Sequence, residues 1–312
     1  MRRLFCFFLL SLFTGISQAD YLSAMKAMPV ADGIYAILTP ARDIPNPENK
    51  GWNSNSAFVV TDTGVLLIDT GSSAAIGEAL KATIRQVTDK PVKWIVNSHA
   101  HGDHWLGNSA YKESNPEIFS TSRVVEIIKS EGSVWIDRFS RLTEGATGKT
   151  SILLPSKMID QRTELKLGGT DVVLFPSGNS HSPGDLITWL PQQHILISGD
   201  VVYSDRMPST NVSNLSQWIV MLDELLQLEP ASVIPGHGKV TDVEGLRRLH
   251  DFLSAFRDAV KKGYEAGLSD YEMLPGVTKE LEKYAPFYPG FEEKLARDIS
   301  HVMLQIEAEE FQ

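Results

Sequence analysis

The chain has 312 residues, 42% of them hydrophobic, and a formal net charge of −10. That length suits one large domain or a domain with an appendage, and the hydrophobic share excludes a disordered chain. The acidity excludes nucleic acid as a partner, because phosphate contacts need clustered Lys and Arg, and a lone cysteine, Cys6, excludes an internal disulfide framework.

Met1-Arg2-Arg3 is a short basic segment, Leu4 to Phe13 is almost continuously apolar, and Ser17-Gln18-Ala19 offers small residues around a cleavable bond. This reads as a secretory signal peptide, residues 1–19, because the apolar run is too short to span a bilayer and polar sequence follows it. The expectation is a periplasmic or secreted protein beginning at Asp20, without stable membrane insertion. Losing Arg2 and Arg3 takes the net charge from −10 to −12, and losing Cys6 removes every thiolate ligand.

Strand patterns follow at residues 34–38, 57–60 and 65–68, the last two joined by the hairpin signal Thr61-Asp62-Thr63-Gly64. Apolar residues then recur at helical spacing (Ile76, Leu80, Ile84, Val87), with Ser72 or Ser73 placed to cap the helix. Val92 to Val96 is the next strand. A helix is expected near 122–141, a surface loop over 143–151, strands at 163–167, 171–175, 185–190 and 194–198, a helix at 215–228 and a short strand at 232–234. Strands followed by a helix thus occur twice, which predicts two sheets face to face with helices outside. From Val243 onward the pattern is helical, with breaks expected at 267–270, Pro275 and the Pro286 to Pro289 region. Its Tyr264, Tyr271, Tyr284, Phe287 and Tyr288 fit a core or interface better than a substrate entrance.

The densest chemistry is Asn97-Ser98-His99-Ala100-His101-Gly102-Asp103-His104, three histidines and an aspartate at the end of a strand. Neutral imidazoles with a carboxylate are the donors that zinc prefers, and α/β folds place their chemistry at strand carboxyl ends. His99 and His101, two apart in an extended segment, point to one side and can share an ion. Asp103 and His104 follow the turn at Gly102 and can aim elsewhere. Three more ligand-type residues lie in what read as Gly-flanked strand-exit loops: His181 in Gly178-Asn179-Ser180-His181, Asp200 in Ser198-Gly199-Asp200, and His237 in Pro235-Gly236-His237-Gly238. Glycine there lets a backbone approach a metal closely.

The His-x-His-x-Asp-His motif, the later histidine, the Gly-Asp after a strand and the Gly-His-Gly together resemble the metallo-β-lactamase-fold superfamily over roughly residues 30–245. The resemblance implies an α/β, αββα sandwich over residues 20–245, with residues 246–312 as a helical C-terminal extension. It implies that His99, His101 and His181 hold one metal, that Asp103, His104 and His237 hold a second, and that Asp200 bridges them. Two Zn²⁺ per chain is the expected cofactor, with iron or manganese as other ions for the same donors. One large β-lactamase group carries a cysteine ligand near Asp200, which this chain lacks, and another lacks the bridging aspartate. Asp200 therefore brings the chain closer to glyoxalase II, lactonase and related branches, or to hydrolases accompanying periplasmic quinoprotein dehydrogenases.

The implied activity is hydrolysis of an ester, thioester, lactone or amide-type bond of a small molecule by hydroxide held between the metals, with Asp103 orienting it as the catalytic residue. The alternatives are an iron-dependent dioxygenase acting on sulfur substrates in the same fold, a β-lactamase, and a non-catalytic accessory protein with a structural metal site. Asp69, leaving a strand parallel to the metal-bearing one, either supports a ligand histidine or is an ordinary turn aspartate. Trp105, Tyr203, Arg206 and Asn211 are candidates for shaping the pocket; His194, His250 and His301 read as non-ligands.

Overall fold

The computed structural model describes residues 22, 24–41 and 44–310, so the expected signal segment lies outside the described residues. Twelve strands form two sheets. In the first, β1 (Met28–Ala31), β2 (Ile34–Ile37), β3 (Ser56–Val60) and β4 (Val65–Ile68) run as an antiparallel meander. It continues in parallel through β5 (Val92–Val96), β6 (Glu117–Ser120) and β7 (Lys157–Met158). In the second, β8 (Thr163–Leu167), β9 (Thr170–Pro176), β10 (Leu186–Leu190) and β11 (Ile195–Tyr203) are antiparallel, and β12 (Ser232–His237) pairs with β11 in parallel.

The sheets face each other through one apolar cluster that includes Ile34, Leu66, Ile68 and Val96 from the first and Leu174, Leu186, Ile197 and Ile234 from the second. Each sheet's other face is closed by helices. Helix α1 (Ala74–Arg85) sets Ile76, Leu80 and Ile84 against Phe58, Leu67 and Ile95. It starts where a short polar side chain can satisfy an orphan amide, Ser73 accepting from the Ile76 N–H at 3.2 Å. On the far side, helix α4 (Leu215–Leu226) packs on the second sheet together with α5 (Val243–Glu265), α6 (Asp270–Leu281) and α7 (Phe291–Glu310). The result is the αββα sandwich with C-terminal helices. Among the described residues, further α-helices are α2 (Gly102–Trp105), one turn long, and α3 (Ser122–Leu142), and Leu106–Tyr111 and Glu282–Phe287 form 3-10 turns.

The structure departs from the sequence reading in four places. β1, β6 and β7 were not legible as strands, being short and carrying mixed burial. The 143–151 loop is not purely superficial: Thr143 and Thr147 are buried, and Thr150 Oγ1 accepts from the Ala74 N–H. Pro275 does not break the C-terminal helix, because α6 runs through it, started by the Ser269/Glu272 capping box and held by buried Met273, Val277 and Leu281. Finally, Asp200 and His237 do not sit in strand-exit loops. β11 continues past Gly199, whose φ of +53° accompanies a register shift against β12, and His237 is the last residue of β12. A bulge at a glycine bends the strand without ending it, which re-aims the next side chain.

Candidate metal centre

The loop after β5 and the one-turn helix α2 bring His99, His101, Asp103 and His104 to one end of the sandwich. The loop before β10 adds His181, β11 adds Asp200, and β12 adds His237. Two groups result, each with ligand-type atoms within 4.8 Å of one another: His99, His101, His181 and Asp200, and Asp103, His104 and His237. In the first, His101 Nδ1 lies 2.9 Å from His99 Nε2 and 3.1 Å from His181 Nε2.

The proton positions are set by neighbours. Asp69 Oδ1 accepts from the Ser98 N–H at 2.8 Å, and Oδ2 accepts from the Ser98 hydroxyl and from His104 Nδ1, each at 2.7 Å. With its proton given to Asp69, Ser98 Oγ accepts from His99 Nδ1 at 2.9 Å. Both histidines thus carry Nδ1–H and direct the bare Nε2 inward. His237 is fixed the same way, Nδ1 donating to the Asn53 carbonyl at 2.8 Å, with Nε2 3.2 Å from Asp200 Oδ2 and 3.5 Å from Asp103 Oδ2. Asp69 therefore supports ligand-type histidines from both groups. It does so from a left-handed backbone, φ +59°, a conformation that costs an L-residue on the order of 1 kcal/mol.

Asp200 touches both groups. Its Oδ2 accepts from the Tyr203 hydroxyl at 2.6 Å and lies 3.5 Å from His181 Nε2, while Oδ1 is 3.3 Å from His104 Nε2. Gly236 is required beside it, since a Cβ there would stand 2.0 Å from Asp200 Oδ1. Tyr203 also stacks on His237, ring centroids 5.4 Å apart. Its phenol is held well above its ordinary pKa by burial and then by the Asp200 charge, so it stays a donor.

Burial holds His99 well below its ordinary pKa, also lowers His101, and pushes His181 down to about 3, so these rings are neutral near pH 7. His104 moves the other way: burial alone would lower it, and the carboxylates of Asp200, Asp103 and Asp69 outweigh that. Burial would raise Asp103, yet His104 and His237 leave it lowered. His104 Nε2 and Asp200 Oδ1 are buried and have no hydrogen-bond partner. The inward nitrogens, the partnerless Asp200 Oδ1 and three buried carboxylates (Asp69, Asp103, Asp200), which draw His104 toward its cationic form, demand positive charge. The residues fit divalent metal.

Residues outside the sequence motifs complete the surroundings. Asn53 Nδ2 donates to Asp103 Oδ2 at 2.9 Å and Ser54 Oγ to the Asp103 carbonyl, while Asn55 Nδ2 bonds the Pro235 and Gly238 carbonyls on either side of His237. Only the polar run Asn53-Ser54-Asn55 ahead of β3 hinted at this. Asp185 fastens the His181 loop by accepting from the Ser182 amide and hydroxyl; burial pushes its carboxyl up to about 7. Tyr203, Arg206 and Asn211 line the cavity of about 370 Å³ over the site, whereas Trp105 does not: it is fully buried, its indole donating to the Ala100 carbonyl. None of the five aromatics of the C-terminal segment lines that cavity; Tyr284 and Tyr288 are core. His250 pairs with Asp223 and Asp251, His301 with the Arg297 carbonyl.

Residues 49–237 match the family described as the metallo-beta-lactamase superfamily. The chain belongs to it. A type 2 metallo-beta-lactamase of Bacillus sp. (strain 170) is 28% identical over 205 residues, 64% of this chain and 72% of that protein. A linear primary-alkylsulfatase of Pseudomonas sp. (strain ATCC 19151) is 22% identical over 265 residues, and the match spans 73% of this chain but only 49% of that protein. Among solved structures, a metallo-beta-lactamase from Pontibacter korlensis superposes with a TM-score of 0.60 at 21% identity, covering 74% of this chain and 99% of that one. The FIM-1 metallo-beta-lactamase from Pseudomonas aeruginosa, in a mono-zinc form, gives 0.59 at 17%, covering 74% and 95%. These structural likenesses establish the sandwich; the family match and the relatives make this superfamily member a metal-dependent hydrolase.

Proposed function

We propose that this protein is a two-zinc hydrolase that splits an ester, thioester, lactone or amide-type bond of a small molecule. The carrying observation is Asp200, whose carboxylate lies against both histidine groups, Oδ2 3.5 Å from His181 Nε2 and 3.2 Å from His237 Nε2, and Oδ1 3.3 Å from His104 Nε2. In this reading His99, His101 and His181 hold one ion, Asp103, His104 and His237 the other, and Asp200 joins them. Bound zinc supplies polarisation of the scissile group and a water acidic enough to react near neutral pH.

The chain's own residues do the rest. Asp69, Ser98 and the Asn53 carbonyl hold three imidazoles in the tautomer that keeps Nε2 free. Asp103 has Oδ2 occupied by Asn53 and receives no donor at Oδ1 among the described residues, leaving that oxygen to take a proton from the attacking water. The water's OH adds to the acyl carbon, the bond from that carbon to the leaving oxygen, sulfur or nitrogen breaks, and the proton held by Asp103 passes to the departing alcohol, thiol or amine, which restores the carboxylate. Tyr203 keeps its proton and anchors Asp200.

A second reading, β-lactam hydrolysis, is favoured by the named relatives and opposed by the aspartate where one large group of β-lactamases uses cysteine. The test is a panel of a thioester, a lactone, a β-lactam, a phosphodiester and an alkyl sulfate, assayed with zinc-loaded and chelator-treated protein alongside elemental analysis. Turnover of an acyl substrate that vanishes on chelation, with about two zinc per chain, is the expected result. About one iron per chain and no hydrolysis would sink the proposal in favour of oxygen chemistry.

A further inference from the structure

The walls of the cavity over the site differ in charge from the rest of the molecule. The chain carries net −10, yet among the described residues the charged side chains of the cavity lining are Arg138, Arg206, Lys294 and Arg297 against the two acidic residues Asp103 and Asp200. Two of the four cations come from α7, well beyond residues 49–237. Lys294 and Arg297 stand three apart on that helix, one face of it, while Leu295, Ile299 and Val302 bury the adjoining side. α7 is fixed in place: Gln305 accepts from the Leu215 N–H and donates to the Ser213 carbonyl, and the Met207 N–H bonds the Pro289 carbonyl just ahead of the helix.

These cations are poorly neutralised. Arg297 is paired only with its neighbour Asp298 at 3.2 Å, and Lys294 and Arg206 have no carboxylate partner among the described residues. Arg206 instead donates from Nη1 to the Asn53 carbonyl at 3.4 Å, sharing that acceptor with His237 Nδ1, which lies 2.9 Å from Nη1. Half-buried Lys294 is lowered from its ordinary pKa by burial and then by the charge of Arg206. Like charges gathered at one wall are held apart only at a cost, which an anion removes. The other histidine group has an aromatic wall that carries the fourth cation: Trp135 lies 5.5 Å from His101, with Phe139 beyond it and the Arg138 guanidinium 5.2 Å from the Trp135 ring, while Ile44 and Val212 add apolar, largely exposed side chains to the cavity lining.

We propose that the C-terminal helix α7 is the specificity element of this enzyme, with Lys294 and Arg297 joining Arg206 to hold an oxyanion on an otherwise apolar substrate. The anionic end faces α7 on the His237 side, and the apolar body lies toward Trp135 on the His101 side. The assignment rests on the hydrolytic reading for what is then cleaved, but not for what binds. Carboxylate, sulfate and phosphate share the recognising chemistry.

The test measures binding rather than turnover. Zinc-loaded full-length protein is titrated calorimetrically with hexanoate, hexyl sulfate, hexyl phosphate, hexanol and hexylamine. The anions are expected to bind at least about tenfold more tightly than hexanol or hexylamine, weakening as NaCl rises from about 0.05 to 0.5 M; their relative affinities identify the head group. K294Q/R297Q should lose about tenfold in anion affinity and K294R/R297K should recover most of it, with melting temperatures checking that both fold. Equal affinity for hexanol or hexylamine would overturn the proposal, as would anion binding unchanged in K294Q/R297Q, which would place the anion on the metals. If the anions bind as described but no panel substrate is cleaved, the hydrolytic reading fails and this one stands.

Discussion

The two halves of the site are built to different standards of rigidity. On the His237 side both histidines have Nδ1 locked, His104 by Asp69 and His237 by the Asn53 carbonyl, and Asp103 is gripped by Asn53 and Ser54. On the His101 side only His99 is locked in this way, through Ser98; His181 Nδ1 is buried without a partner, and its loop is fastened by Asp185 instead. The walls differ as well, with Arg206 against His237, and Trp135 with Arg138 over its ring beside His101. A fixed imidazole loses less freedom when it binds an ion, so under the proposed two-zinc reading the His237 half is expected to hold its ion more tightly and the His101 half to exchange first.

The largest effect comes from erasing what joins the halves. Asp200→Ala removes the carboxylate facing both groups and leaves Tyr203 without its acceptor. Activity is expected to fall by about a thousandfold or more, with elemental analysis showing loss of metal from both halves. Wild-type metal content at full activity would end the joined-centre picture. Next is Asp69→Ala, which touches no ion yet frees both His104 and the Ser98 to His99 relay. Metal affinity should drop by about 10–100-fold at both halves, read by competition with a chelator. A drop at one half alone would show that the Ser98 relay does not position His99.

The sequence exposed the donors far better than what holds them. His99 to His104 are adjacent in the chain, so their crowding is visible without a fold, and His181, Asp200 and His237 stand out by their small neighbours. Asp69 was legible only as one of two alternatives, because its partner His104 is 35 residues away. Asn53 reaches Asp103 across 50 residues, and its backbone reaches His237 across 184. No local period encodes such contacts; they exist only once the two sheets bring the ends of β3, β5 and β12 to one end of the sandwich. The same holds for α7: apolar spacing tells which side of a helix is buried, not which cavity its polar side overhangs.

Smaller effects should separate the halves. Asn53→Ala keeps the backbone carbonyl that fixes His237 but removes the donor to Asp103, so a loss of about tenfold in kcat is expected, with metal retained at both halves. Metal loss confined to the His237 half would mean that Asn53 serves ion retention rather than the orientation of Asp103.

The finest distinction lies in the cationic wall. Because burial and Arg206 lower the Lys294 pKa, its charge is lost at a pH below the ordinary lysine range near 10.4. The protonated form is the one that attracts an anion, so hexanoate binding should weaken as pH rises toward the ordinary lysine range, severalfold at most because Arg206 and Arg297 stay charged. In Lys294→Arg the guanidinium does not titrate in that window, and the affinity should stay level. A bound anion favours the protonated amine and raises its pKa, so the wild-type decline should shift to higher pH as hexanoate is increased. A flat wild-type profile would place Lys294 outside the binding surface and leave Arg206, already against His237, as the main source of that wall's attraction.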